Sequence, residues 1–308
     1  MVDRITPATT QADRDEIAAR FGINDRWPVV CEPFTQWVLE DAFSSRRPPL
    51  EDAGVQIVSK VAPYELMKLR LLNASHQGLC YFARLCGHTY VHKAAQDPLL
   101  EDFLRRYMDQ EATPTLDPVP DVDLRVYKDT LIERFSNPEI RDTIARLCAE
   151  SSDQIPKWLL PVIRHQLAHH APVALSAAIV ASWARYAEGV DEQGQPIEVI
   201  DRRREEVMAL ASRQANEPTA SLSNRELFGD LIENSDSSTA TGRHSVRCTR
   251  GGRAGRCSHS SRLRREVKSG VLERGPRGVA AGAAAFSADA DAAGRDCRAL
   301  RREGVFSL

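Results

Sequence analysis

The sequence predicts a mostly α, multi-helical fold over residues 1–234, followed by a basic tail over 235–308. Three observations carry that prediction. Between Pro63 and about Leu210, apolar residues recur at helical spacing in one segment after another, with proline or glycine between most of them. Only one stretch, "AGVQIVS", alternates strongly as a strand does. Near Ser235 the composition turns to Arg, Gly, Ser and Ala with no sustained period.

Taken in order, "PATTQADRDEIAARFG" offers Thr10 as a cap, acids in the first turn and Gly22 as a stop, which predicts a short helix. "WPVVCEPFTQWVLED" holds a short apolar run and an aromatic segment broken by Pro33. Pro63 suits a first helical turn, and apolar residues then continue through Leu85. Helical spacing returns in "DPLLEDFLRRYMDQEA", "VYKDTLIERFS", "NPEIRDTIARLCAES", "IPKWLLPVIRHQLAHH", "PVALSAAIVASWARYAEG" and "DRRREEVMALASRQ". The tail reads as a natural disordered segment, as a GC-rich gene translated in a wrong frame, or as an RNA-binding arm. It has almost no aromatic residues for base stacking, which counts against the last.

With 42% hydrophobic residues, the 308-residue chain has material for a real core. The net charge of -2 hides an asymmetry: fifteen Lys+Arg face seven Asp+Glu from Ser235 onward, so residues 1–234 carry an excess of ten negative charges. That balance points to neither nucleic acid nor a membrane as partner. No apolar run is long enough to span a bilayer, and no secretory leader is expected. The seven cysteines form no CxxC pair, and Cys31, Cys80, Cys86 and Cys148, mostly in apolar surroundings, read as reduced core thiols of a cytoplasmic protein. His165 and His169 lie one helical turn apart with no third ligand in view, and Cys248, Cys257 and His259 fall in the tail, so no metal site is expected.

The segment "KLRLLNASH" sets Lys68, Asn73 and His76 among leucines. On a regular helix, with Lys68 at zero, Glu65 falls at about 60°, His76 at about 80° and Asn73 at about 140°. The leucines cover every other direction, as on a buried helix, so the four polar groups are expected to share one desolvated site. A packing network is one reading. The other is chemical: an ammonium taken out of water loses its proton more readily and becomes a usable general base. An amide beside it can donate to an oxygen that is gaining negative charge, and an imidazole can orient that oxygen. This set of groups is equipment for removing a proton from an alcohol while a hydride leaves the same carbon, that is, for alcohol oxidation or carbonyl reduction.

Lys68, Asn73 and His76 at this spacing within "PYELMKLRLLNASH" resemble the catalytic helix of the polyol-specific, long-chain mannitol dehydrogenase family. The likeness extends through "MVDRITPAT", "CEPFTQWVLED", "ERFSNP", "IPKWLLP" and "SWARYAEGVDEQG", over about residues 1–234. It implies a substrate domain of the 6-phosphogluconate dehydrogenase C-terminal type and metal-independent NAD(P) chemistry between D-mannitol and D-fructose in a monomeric parent enzyme. By position it implies Lys68 as general base, Asn73 as an oxyanion-stabilising amide, His76 as a substrate-orienting group and Glu65 as an acid linking the lysine to solvent. Asp3 and Arg4 are expected to face the cofactor crevice or to form a loop-capping salt bridge. The family's basic residue before "IP" is Gln154 here, and Arg146 and Lys157 are candidates to compensate. The family's dinucleotide-binding half is expected ahead of "MVDRITP", and no GxGxxG follows a strand in this sequence. The isolated chain is therefore expected to be inactive. A sugar-acid reductase of the fructuronate or tagaturonate type, and a non-catalytic helical binding module, are the alternatives.

Overall fold

The computed structural model describes residues 1–233, and the expected tail at 235–308 lies outside them. The N-terminal part is a small mixed sheet. Strand β1 (Val2–Asp3) pairs antiparallel with β2 (Gln36–Glu40), Val2 opposite Trp37. β2 pairs parallel with β3 (Gln56–Val58), Val38 opposite Gln56. Helix α1 (Gln11–Phe21) starts at Thr10, whose hydroxyl accepts from the Asp13 N–H while the Asp13 carboxylate accepts from the Thr10 N–H. It stops at Gly22, with φ 65°. Both signals were legible in the sequence. The aromatic segment "TQWVLE" supplies the longest strand of the sheet, which its sequence had not announced.

The helical part begins with α2 (Ala62–Met67), with Pro63 in its first turn. The continuous helix expected through Leu85 is interrupted: residues Lys68–Asn73 form a π-turn, in which the Ala74 N–H bonds the Leu69 carbonyl five residues back, before α3 (Ala74–Leu85) resumes. α4 (Val91–Ala95) follows, and α5 (Pro98–Tyr107) is capped by the Asp97 carboxylate on the Leu99 N–H. α5 runs into a second π-turn, Met108–Ala112. α6 (Leu124–Phe135) is capped by Asp123.

"NPEIRDTIARLCAES" is the largest departure, because only α7 (Ile144–Cys148) is helical. Ahead of it the Asn137 and Asp142 side chains accept from the Glu139 and Thr143 N–H groups, and these local bonds compete with a helical ladder. "IPKWLLPVIRHQLAHH" makes two helices, α8 (Ser151–Trp158) and α9 (Leu160–Ala168), since Pro161 has no N–H to continue the first. α10 (Ala174–Tyr186), α11 (Arg204–Ala211) and α12 (Arg225–Phe228) complete the set.

The core forms around α3 and α10. Every α10 residue from Leu175 to Tyr186 is buried, and α3 buries every residue but His76 and Arg84. Tyr81 meets Tyr186 with ring centroids 5.7 Å apart, and Phe82 meets Phe103 at 5.2 Å. Gly78 permits this close packing, because a Cβ there would lie 3.2 Å from Ile179 Cδ1 and 3.3 Å from Leu104 Cδ2. The mostly α expectation agrees with this architecture. Cys80, Cys86 and Cys148 are buried free thiols, and Cys31 is half-buried. Among the described residues, no helix is long and apolar enough to cross a membrane.

Candidate active site

The π-turn positions the site. An i to i+5 backbone bond stacks residues five apart, so Lys68 and Asn73 come one above the other, and His76 follows one helical turn on. All three line a cavity of about 230 Å³, with Asp3, Arg4, Ile5 and Thr6 from the N-terminal segment, Leu72, Arg146 and Leu147, and Gln154 and Trp158 from α8. The volume is somewhat below the roughly 300–1,000 Å³ usual for ligand sites, as suits a small hydrophilic molecule.

Lys68 is half-buried rather than fully removed from water, and its Nζ donates to the Val2 carbonyl at 2.8 Å. Asn73 lines the cavity, and its Oδ1 is buried without a hydrogen-bond partner, so the unused capacity is that of an acceptor. The His76 ring rests on Phe135, centroids 4.5 Å apart. Burial pushes its pKa down to about 4; Asp142 acts against that, and Arg146 and Arg134 add to it. The ring is therefore neutral near pH 7, with one nitrogen donating and one accepting.

The remaining expected site residues divide. Arg146 reaches the cavity, but its guanidinium is paired with Asp142 four residues earlier, Nε to Oδ1 at 2.6 Å, a bond that raises its pKa. Arg4 lies at the rim and donates to the Glu32 carbonyl at 3.0 Å. Asp3 lines the cavity and is also buried in an ion pair with Arg134, Oδ1 to Nη2 2.7 Å. Glu65 is exposed and Lys157 is tied to Asp153 at 2.6 Å; neither lines the cavity. The four-membered face expected on a regular helix thus becomes a set of three, because the polar face is built by the π-turn and Glu65 precedes it. Gln154 lines the wall with its Nε2 on the Ala149 carbonyl at 3.0 Å. Thr6 and Trp158 had not been singled out. The spacing of Gln154 and Trp158, four apart on α8, was the available sign.

Among the described residues, no group of three His, Cys, Asp or Glu side chains could hold a metal ion; His165 and His169 stack on each other at 4.2 Å.

Comparison with known proteins gives the lineage. The family model described as the mannitol dehydrogenase C-terminal domain matches residues 60–243, and the one described as the mannitol dehydrogenase Rossmann domain matches residues 1–52. The chain belongs to the mannitol dehydrogenase family. A mannitol 2-dehydrogenase of Aspergillus fumigatus is 45% identical over 239 residues, which is 77% of this chain and 48% of the relative. Mannitol dehydrogenase 2 of Saccharomyces cerevisiae is 44% identical over 247 residues, 80% of this chain and 49% of the relative. The chain spans about half the length of the curated relatives it matches. Among solved structures, a Pseudomonas fluorescens mannitol 2-dehydrogenase in ternary complex with NAD and D-mannitol superposes with a TM-score of 0.77 at 41% identity, covering 87% of this chain and 54% of that one. A substrate-free D-sorbitol dehydrogenase gives 0.70 at 32% identity, covering 80% and 50%. β1 and β2 lie within the match over residues 1–52, and β3 falls in the interval between the two family matches.

Proposed function

We propose that this chain is the substrate-binding, proton-transferring part of an oxidoreductase that interconverts D-mannitol and D-fructose with NAD. The observation that carries this is the convergence of Lys68, Asn73 and a neutral His76 on one small cavity. Support comes from the 41% identical neighbour whose complex holds NAD and D-mannitol.

The chemistry follows from the groups. The hydroxyl proton of the polyol passes to the Lys68 amine in its neutral form. As the proton leaves, the Asn73 amide donates to the oxygen on which charge develops, a contact worth more in a site sheltered from water. Neutral His76 exchanges hydrogen bonds with a hydroxyl and fixes which carbon faces reaction. Bound NAD supplies the acceptor for the hydride that leaves the same carbon. In the reverse direction Lys68 returns its proton to the carbonyl oxygen. The Asn73 amide donates through its NH2 group, and Asn73 lines the cavity together with Arg4 and Thr6. Among the described residues no glycine-rich turn leads from a strand into a helix to cradle a pyrophosphate, so that contact falls to other parts of the enzyme. The proton acceptor is an amine, which leaves a metal no assigned role. A cytoplasmic, monomeric enzyme, with NADP as a second possible cofactor, completes the proposal.

A sugar-acid substrate is the second reading, because Arg4 and Arg146 both reach the cavity. The pairing of Arg146 with Asp142 compensates that charge, which favours the uncharged polyol.

The test joins the chain to the part of the Aspergillus fumigatus relative that the match leaves uncovered, and follows absorbance of the reduced cofactor with mannitol, fructose and a sugar acid. Lys68→Ala should lower turnover by about 10² to 10⁴ without loss of helical content. Turnover within a few-fold of the parent would reject Lys68 as the base, and a preference for the sugar acid would select the second reading.

A further inference from the structure

β1 is two residues long, too short to hold its place by sheet pairing alone, yet its Val2 carbonyl is the acceptor for the Lys68 amine. A buried cluster of charges beneath it adds to the backbone bonds of Met1 with Val38 and of Ile5 with Glu32. Arg134 Nη2 donates to Asp3 Oδ1 at 2.7 Å and to Glu32 Oε1 at 2.8 Å; Nη1 donates to Asp3 Oδ2 at 3.1 Å and Nε to Glu32 Oε2 at 3.0 Å. Tyr127, two helical turns earlier on the same face of α6, donates its hydroxyl to Asp3 Oδ2 at 3.2 Å. Glu32 accepts the Ile5 N–H at 2.5 Å, and Phe34 covers the guanidinium with its ring centroid 3.9 Å away.

The three charged side chains are 5%, 1% and 2% exposed for Arg134, Asp3 and Glu32. Burying such a group is a poor way to gain stability, since apolar residues of similar volume do as well or better. What it gives is position. The planar guanidinium satisfies two carboxylates at fixed angles, a geometry that lysine cannot reproduce. Segment 2–5 is thereby held at consecutive points, Asp3 by Arg134 and Ile5 by Glu32, and Val2 is left facing Lys68.

We propose that Arg134 is a positioning residue for the reaction: through Asp3 it fixes the strand whose Val2 carbonyl holds the Lys68 amine, and so sets how far that amine reaches into the cavity. Arg134 itself does not line the cavity. The proposal rests on the reading of Lys68 as proton acceptor, and its test is independent of turnover. The chain has six lysines, few enough to resolve individually by NMR with 13C label at lysine Cε. The Lys68 signal is identified by its loss in Lys68→Ala.

In the full 308-residue chain, Arg134→Lys keeps the charge but loses the fork. It should shift the Lys68 Cε signal while those of Lys60, Lys93 and Lys157 stay in place. Tyr127→Phe removes one bond to Asp3 with no change of charge, and should shift Lys68 less, in the same direction; it decides the matter if Arg134→Lys fails to fold. A Lys68 signal unmoved in the folded variants overturns the proposal. The second readout is a double-mutant cycle in the joined enzyme described above. Arg134→Lys should lower turnover at least tenfold with little change in KM, and should have no further effect on a Lys68→Ala background. Equal losses in both backgrounds would sink the positioning role while leaving Lys68 as the base; no loss in Lys68→Ala would instead sink the reading of Lys68.

Discussion

Acidification should unfold this protein partly through His76. Its folded-state pKa of about 4 lies below the ordinary 6.5 because burial against Phe135 disfavours the imidazolium. As pH falls through 6.5 the unfolded chain takes up the proton first, so stability drops from there until about pH 4, where both states are protonated. At about 1.4 kcal/mol per pH unit the full difference is about 3 kcal/mol. His76 lies on the wall of an open cavity and is only half-buried, so screening trims this to about 2 kcal/mol. Against a total of about 5–15 kcal/mol that is a large share. With a urea slope of about 2 kcal/mol/M, it corresponds to a midpoint about 1 M lower at pH 4.5 than at pH 7. Carboxylates titrate in the same range, so the decisive quantity is the difference between the parent and His76→Gln. Urea unfolding followed by far-UV circular dichroism, at half-unit steps from pH 7 to 4.5, should show the variant losing about 1 M less than the parent. Parallel pH dependence in the two proteins would refute a half-buried, neutral His76.

Three further outcomes are expected. Asn73→Ala should lower kcat for mannitol oxidation in the joined enzyme by about 10² to 10³ while leaving KM within a few-fold, because the amide acts on charge present only in the transition state; a rise in KM alone would assign it to ground-state binding. Gly78→Ala should destabilise by about 1 kcal/mol: the Cβ meets Ile179 and Leu104 at 3.2–3.3 Å, and overpacking outweighs the roughly 1 kcal/mol that alanine gains in helix propensity; a raised melting temperature would contradict this. Arg134→Ala leaves two carboxylates buried without a counter-ion and should cost about 3–5 kcal/mol, read as a melting temperature lower by about 10 °C or more; a shift under about 3 °C would show the cluster relaxing into water.

The sequence by itself determined the elements whose causes are local. Thr10 with Asp13 and Gly22 bounds α1, Asp97 and Asp123 cap α5 and α6, and the unbroken apolar run of "ALSAAIVASWARY" makes α10 a buried helix. It also determined the family and singled out Lys68, Asn73 and His76, since residue types at fixed spacing need no coordinates to be read. Tertiary structure alone decided how those residues meet. A regular helix puts Glu65 with Lys68, Asn73 and His76; the π-turn at Lys68–Asn73 stacks the last three on the cavity and leaves Glu65 in solvent. That turn has no composition of its own, because its backbone is chosen by packing against neighbouring helices. Nor does sequence indicate that Asp3, Glu32 and Arg134 converge. They are up to 131 residues apart, and a long-range ion pair leaves no period to read. Charge neutralisation across such distances is possible only once α6 has been brought beneath β1, and the core formed by α3 and α10 is what brings the chain together.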